Sequence, residues 1–209
     1  YRNTRNYCIS GIIPGCNLFS FACFVYDPII CQTTMRLSKI TNVKLFMNKL
    51  LIENAFDSFL ISEAIIKTGN TFVIDGHINE GFYSGEEISE MRDEALNDNR
   101  IFSEKLSRFI QLKPFILSTI KGKKTPSYFK FSFYLALENV DKLLALSDTT
   151  IKRSDIDGLS LIVKFSDSEL TCTSSVSLNI FTTDKSIDKV WDDMVLKFLA
   201  SHSIPYEVL

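Results

Sequence analysis

The stretch IKGKKTPSYFKFSF, residues 120–133, sets Lys121, Lys123 and Lys124 around Gly122 and then places Lys130 among aromatic rings. Flexible ammonium groups followed by tyrosines on a strand are the residue types that hold backbone phosphates and stack on bases. The setting argues partly against that chemistry. An apolar run, PFILSTIK, reads as a short helix that Pro114 can start and that Gly122 follows. The lysine loop then lies at the negative end of that helix, which suits cations but offers carbonyls where a phosphate needs N–H groups. The GxxxxGK[ST] order of a phosphate-binding loop is absent. Along the strand, Phe129, Phe131 and Phe133 share one face, which leaves Tyr128, Lys130 and Tyr134 on the other. The simplest expectation is a solvated lysine turn feeding a half-buried strand. The ligand-binding expectation rests on Lys121, Lys123, Lys124, Tyr128 and Lys130.

A second constellation sits in a hairpin. FLISEAIIKT (59–68) and TFVIDGHIN (71–79) flank Gly69-Asn70, a two-residue turn signal. That loop length would place Ser62 opposite His77 and Ala64 opposite Asp75, gathering Ser62, Asp75 and His77 on one sheet face. No nucleophile elbow or oxyanion loop accompanies them, so a hydrogen-bonded polar face is expected and no residue is assigned a catalytic role. Asp155-Ile156-Asp157-Gly158 resembles a calcium-loop fragment without the later bidentate Glu, and reads as a turn. Asp192 and Asp193 point about 100° apart on a helix and cannot share one ion alone. Cys172, between threonines in a β run, reads as a small buried residue, and His202 as a helix-end cation. No metal and no cofactor are expected.

These residues need elements to carry them. Val43, Phe46, Met47, Leu50 and Leu51 recur at helical spacing, with Thr41 or Asn42 as the cap; this helix is expected to open the body of the chain. Ser84 and Glu87 form a capping box before a helical stretch. A further helix carrying Phe102, Leu106, Phe109 and Ile110 should stop near Lys113, because Pro114 disfavours helical geometry before it. The strand 128–137, a helix from Glu138 to Leu146, three β runs (LSLIVKF, ELTCTS, VSLNIF) and a helix over 184–200 complete the pattern. Strands joined mostly by short turns, with clustered helices, argue for one α+β domain: an antiparallel sheet of about six strands packed with four to five helices.

Bulk composition narrows the class. The 209 residues carry 45% hydrophobic and 23% charged residues, with a net charge of −2, so a globular fold is expected and general attraction to polyanions is not. Four of the five cysteines fall in the first 34 residues, at spacings that match no zinc pattern. That segment lacks periodicity, and Pro14, Asn17, Asp27 and Pro28 interrupt any signal-peptide or membrane run. Residues 1–34 are expected to be a non-native or disordered N-terminal extension, and 35–209 a single domain.

The segments NVKLFMNKLL, FDSFLISEAIIKTGNTFVIDGHIN, IKGKKTPSYFKF, LTCTSSVSLNIFTTDKS and WDDMVLKF closely resemble a family of uncharacterised clostridial (Firmicutes) proteins over residues 35–209. The resemblance implies a bacterial cytoplasmic protein with a domain of unknown function, and supplies no catalytic residues. The expectation is therefore a non-enzymatic binding or interaction module, with a protein partner or self-association and no membrane. The alternative is binding of nucleic acid or a phosphorylated ligand through the basic loop 121–130. An enzyme of unrecognised type stands third.

Overall fold

The structure is a computed structural model that describes residues 35–79, 81–103, 105–122 and 124–209. The expected extension over residues 1–34 lies outside these residues, as does Lys123. The chain runs β1 (Met35–Ile40), α1 (Val43–Leu51), β2 (Leu60–Lys67), β3 (Thr71–Asp75), α2 (Gly85–Asn97), β4 (Ser107–Arg108), α3 (Phe109–Ile120), β5 (Tyr128–Tyr134), α4 (Leu137–Ala145), β6 (Ile156–Ser166), β7 (Glu169–Leu178), α5 (Ser186–Ser201) and β8 (Tyr206–Val208). All strand pairings are antiparallel, in the order β3-β2-β5-β6-β7-β1-β8, with β4 pairing β2 off that path. The α+β class is as expected; among the described residues the sheet has eight strands where about six were expected.

Local chemistry sets the helix starts. Asn42 Oδ1 accepts the Leu45 N–H at 2.9 Å, capping α1. Ser84 and Glu87 form the full capping box at α2. At β6–β7, Asp167 and Ser168 both take positive φ, the mirror-turn geometry that follows the twist of a two-residue hairpin.

The core lies on one sheet face. Phe129, Phe131, Phe133, Leu161, Val163, Leu170 and Cys172 are buried there, against Phe46 and Leu50 of α1, Ile116 of α3 and Ile187, Trp191 and Leu199 of α5. Much of the unusual phenylalanine content meets at Phe56, whose ring lies 5.0–5.8 Å from those of Phe46, Phe59, Phe133 and Phe198. Each such pair adds about 0.5–1.5 kcal/mol beyond the area it buries.

Four expectations are corrected. The body opens with β1, ahead of α1. Residues 101–103 and 105–106 are not helical; a single helix, α3, runs from Phe109 through Pro114 to Ile120. Pro114 sits on the solvent side, where water can take up the Ile110 carbonyl that proline leaves without a donor. The ELTCTS and VSLNIF runs form one continuous strand, β7. Asp157-Gly158 lies inside β6, where the register shifts between Ile156 and Gly158.

Candidate functional site

The second face of the sheet carries two of the residues singled out from the sequence, Tyr128 and Lys130. Register across the strands places Val73, Ile65, Lys130, Lys164, Thr171 and Lys39 in one row, and Asp75, Glu63, Ser132, Ile162, Thr173 and Leu37 in the next. Apart from Ser132, these side chains are half-buried or exposed, in contrast to the opposite face. Antiparallel sheets tolerate one solvated face, and this one alternates hydroxyls and charges with apolar side chains.

Tyr128 and Lys130 come together on this face. The Lys67 ammonium sits 4.8 Å from the centre of the Tyr128 ring. Lys130 Nζ lies 3.3 Å from Glu63 on the neighbouring strand, and Lys39 Nζ lies 2.7 Å from Glu169. Lys164 stands directly opposite Lys130 and forms no ion pair among the described residues. Lys121 ends α3, donating its N–H to Leu117 O at 2.8 Å, and Lys124 follows in the loop. Both side chains are exposed. The loop is tied to the sheet where Ser127 N–H meets Lys67 O at 2.9 Å. Lys67 and Lys164 are thus the additions that strand register makes to the expected set. They were not singled out because only pairing across strands brings them beside Tyr128 and Lys130.

The hairpin constellation does not form. Lys67 pairs with Thr71, so the loop holds Thr68, Gly69 and Asn70, and every pair shifts by one: Glu63 faces Asp75 and Ala64 faces Ile74. Thr68 directs its N–H onto Asn70 O at 2.9 Å, which takes it out of the ladder. Ser62 Oγ donates to Ser132 O at 3.2 Å. Asp75 and His77 do meet, at 2.6 Å between Oδ1 and Nδ1, and Asp75 also accepts the His77 backbone N–H. Those bonds hold the Asp75 carboxyl below its ordinary range.

The remaining candidates read simply. Cys172 is buried, and burial pushes its thiol up to about 12. Asp192 is pushed up by partial burial, against the opposing hydrogen bond from the Ser174 hydroxyl. His202 caps α5, its Nδ1 2.9 Å from Phe198 O and its ring against the Phe198 ring. Among the described residues, no group of three or more His, Cys, Asp or Glu side chains is placed to hold a metal ion. No helix among them is long and apolar enough to cross a membrane.

The cavities around Phe102 have no signal in the sequence, where the spacing of Phe102, Leu106, Phe109 and Ile110 predicts a helix instead. One cavity of about 410 Å³ lies between Leu60, Tyr134, Leu137 and Val140, with Lys105 and Arg153 at its edge. Another, of about 360 Å³, separates α2 from α3.

No curated protein and no solved structure matches the chain. The profile of a family described as a family of unknown function (DUF5721) matches residues 49–207, from the end of α1 to β8 and across every strand of the uncovered face except β1. The match spans well over half of the chain, which therefore belongs to the DUF5721 family.

Proposed function

We propose that this protein is a non-enzymatic binding module that receives a protein partner on the uncovered face of its sheet. The observation that carries this reading is the make-up of that face. Ile65, Ile162, Leu37 and Val73 stand among serines, threonines and tyrosines, and two of its lysines are already matched by Glu63 and Glu169. Apolar and aromatic anchors within a polar, charge-balanced surround suit a protein surface better than a polyanion. The bacterial cytoplasmic setting implied by the clostridial resemblance belongs to the same reading; the free Cys172 thiol fits a reducing compartment. The test compares wild type with Ile162→Glu as bait in an extract of the source organism, after checking that both melt alike. A partner retained by wild type and lost with the variant is expected. Identical retention by both sinks the reading.

A second reading is favoured by one observation: Lys130 and Lys164 face each other across β5 and β6, a like-charge contact that an anion between them would relieve. With Lys67 and Tyr128 alongside, this corner suits a phosphate or a stacked base of a single strand. Fluorescence anisotropy with a labelled single-stranded oligonucleotide at rising salt is the measurement. Affinity that falls steeply with salt and is lost in Lys164→Ala is expected. Salt-independent or unaltered binding rules this reading out.

A further inference from the structure

Among the described residues, no strand pairs with the outer edge of β3. Edge strands of soluble proteins are blunted by lysine, proline, a bulge or an inward-pointing charge, because their unpaired N–H and C=O groups template further pairing. β3, TFVID, has no lysine, proline or bulge, and its one charge, Asp75, stands at the end of the strand on the uncovered face. Phe72 is 42% exposed and Val73 61%. The direction of the free backbone groups follows from the ladder. Gly76 N–H donates to Ser62 O at 2.9 Å, so Gly76 bonds towards β2, and by antiparallel alternation Ile74 and Phe72 do the same. Thr71, Val73 and Asp75 therefore direct their N–H and C=O groups away from the sheet.

We propose that β3 pairs antiparallel with β3 of a second copy of this chain, about a two-fold axis at Val73. That register is self-complementary at each level. Val73 faces Val73 of the second copy, and Thr71 faces its Asp75 on both sides of the axis. These are the residues with outward backbone groups, so each pair exchanges both of its N–H···O=C bonds. On the core-side face, Phe72 comes to lie against Ile74 of the second copy, covering its exposed ring. On the uncovered face, the Thr71 hydroxyl meets the Asp75 carboxylate. Centring the axis on Asp75 would oppose two carboxylates, and centring it on Thr71 would leave half of the edge unpaired. The two sheets become one, and the uncovered faces of both copies join across the axis. The pairing runs through the backbone edge of β3, whereas the partner-binding reading is tested at Ile162 in β6, so failure here leaves that reading standing.

The experiment is sedimentation velocity of the full chain in reducing buffer over a concentration series. The expected result is a concentration-dependent dimer. Val73→Lys and Val73→Glu, which each oppose like charges at the axis, are expected to raise the dissociation constant at least about tenfold. An equimolar mixture of the two is expected to restore the dimer, because residue 73 then meets the opposite charge on its own counterpart. A wild-type monomer throughout, or variants that sediment as wild type, or a mixture that stays monomeric, overturns the proposal. Hydrogen exchange on wild type decides independently of the variants. The Thr71, Val73 and Asp75 amides are expected to be protected at high concentration and to exchange freely on dilution, and free exchange at every concentration refutes the pairing.

Discussion

The Arg108 guanidinium lies 2.7 Å from the Glu138 carboxylate with both side chains almost out of water, 11% and 13% exposed. Arg108 also donates to Ser58 O at 3.2 Å and Ile101 O at 3.4 Å. One side chain at the start of α3 thus ties together the turn before β2, the segment after α2 and the first turn of α4. Removing it leaves Glu138 shielded without its partner, and a lone shielded charge is costly. Arg108→Ala is expected to lower the free energy of unfolding by about 3–5 kcal/mol in urea titration. The double replacement Arg108→Met with Glu138→Leu should recover most of that loss. If the single variant loses less than the double, the pair is not what holds these elements.

Two glycines differ in what would give way to a methyl group. A Cβ on Gly76 would lie 2.0 Å from the Ile61 carbonyl oxygen, a backbone atom held in β2. A Cβ on Gly158 would lie 2.7 Å from two carbons of the Tyr134 ring, which can swing. Gly158→Ala is expected to cost about 1–3 kcal/mol, the usual range for overpacking, and Gly76→Ala more than that. Thermal melts of the two variants check the order, and a milder Gly76→Ala would contradict the close crossing of β2 and the end of β3.

The sequence marks the strands that obey alternation and misses those that do not. β5 is legible because Phe129, Phe131 and Phe133 all point into the core. β1 is not, because its core-side positions include Arg36 and Ser38 while Leu37 faces outwards, 37% exposed, which scrambles the pattern. β8 is three residues long and becomes a strand only by pairing with β1. Pro114 marks a helix end in the sequence because proline's local cost is visible there. The burial of Phe109 and Ile116 on one helix face, which offsets it, is visible only in the fold. The hairpin shows how little separates a right element from a wrong site. Both strands lie where expected, yet one extra loop residue moved Ser62 away from His77 and put Glu63 opposite Asp75. Of the basic set, Tyr128 and Lys130 were legible together through alternation. Lys67 and Lys164 needed the strand order.

Cys172 makes stability fall in alkali. In the fold its thiol is pushed from an ordinary 9.0 to about 12 by burial. Between those two values the unfolded chain has lost the proton and the folded chain keeps it. The folded state then binds more protons, so stability declines as pH rises, by up to about 1.4 kcal/mol per pH unit. Below pH 9 the contribution is intact. Urea titrations of wild type and Cys172→Ala from pH 8 to pH 10.5 isolate this group: the difference between them should shift against wild type as pH rises. A constant difference would mean that the thiol reaches solvent in the folded state.

Lys164 offers a test of charge on the uncovered face that needs no ligand. It stands opposite Lys130, whose ammonium already leans towards Glu63 at 3.3 Å. Replacing Lys164 by Glu turns a like-charge cross-strand contact into an opposite one and lets Lys130 sit between two carboxylates. Cross-strand charge pairs are worth about 0.2–1 kcal/mol and are screened by salt, so the variant should be more stable than wild type by that amount at low ionic strength. The gain should shrink as sodium chloride is raised towards 1 M, where the Debye length falls to about 3 Å. Lys121→Glu serves as the control, because that exposed side chain lies off the strands and has no lysine opposite it in the ladder. It should leave stability unchanged within about 0.5 kcal/mol. Equal effects at both positions would mean that overall charge, and not the Lys130–Lys164 register, governs the result. A destabilised Lys164→Glu would place Glu63, not Lys130, as the nearer neighbour of residue 164.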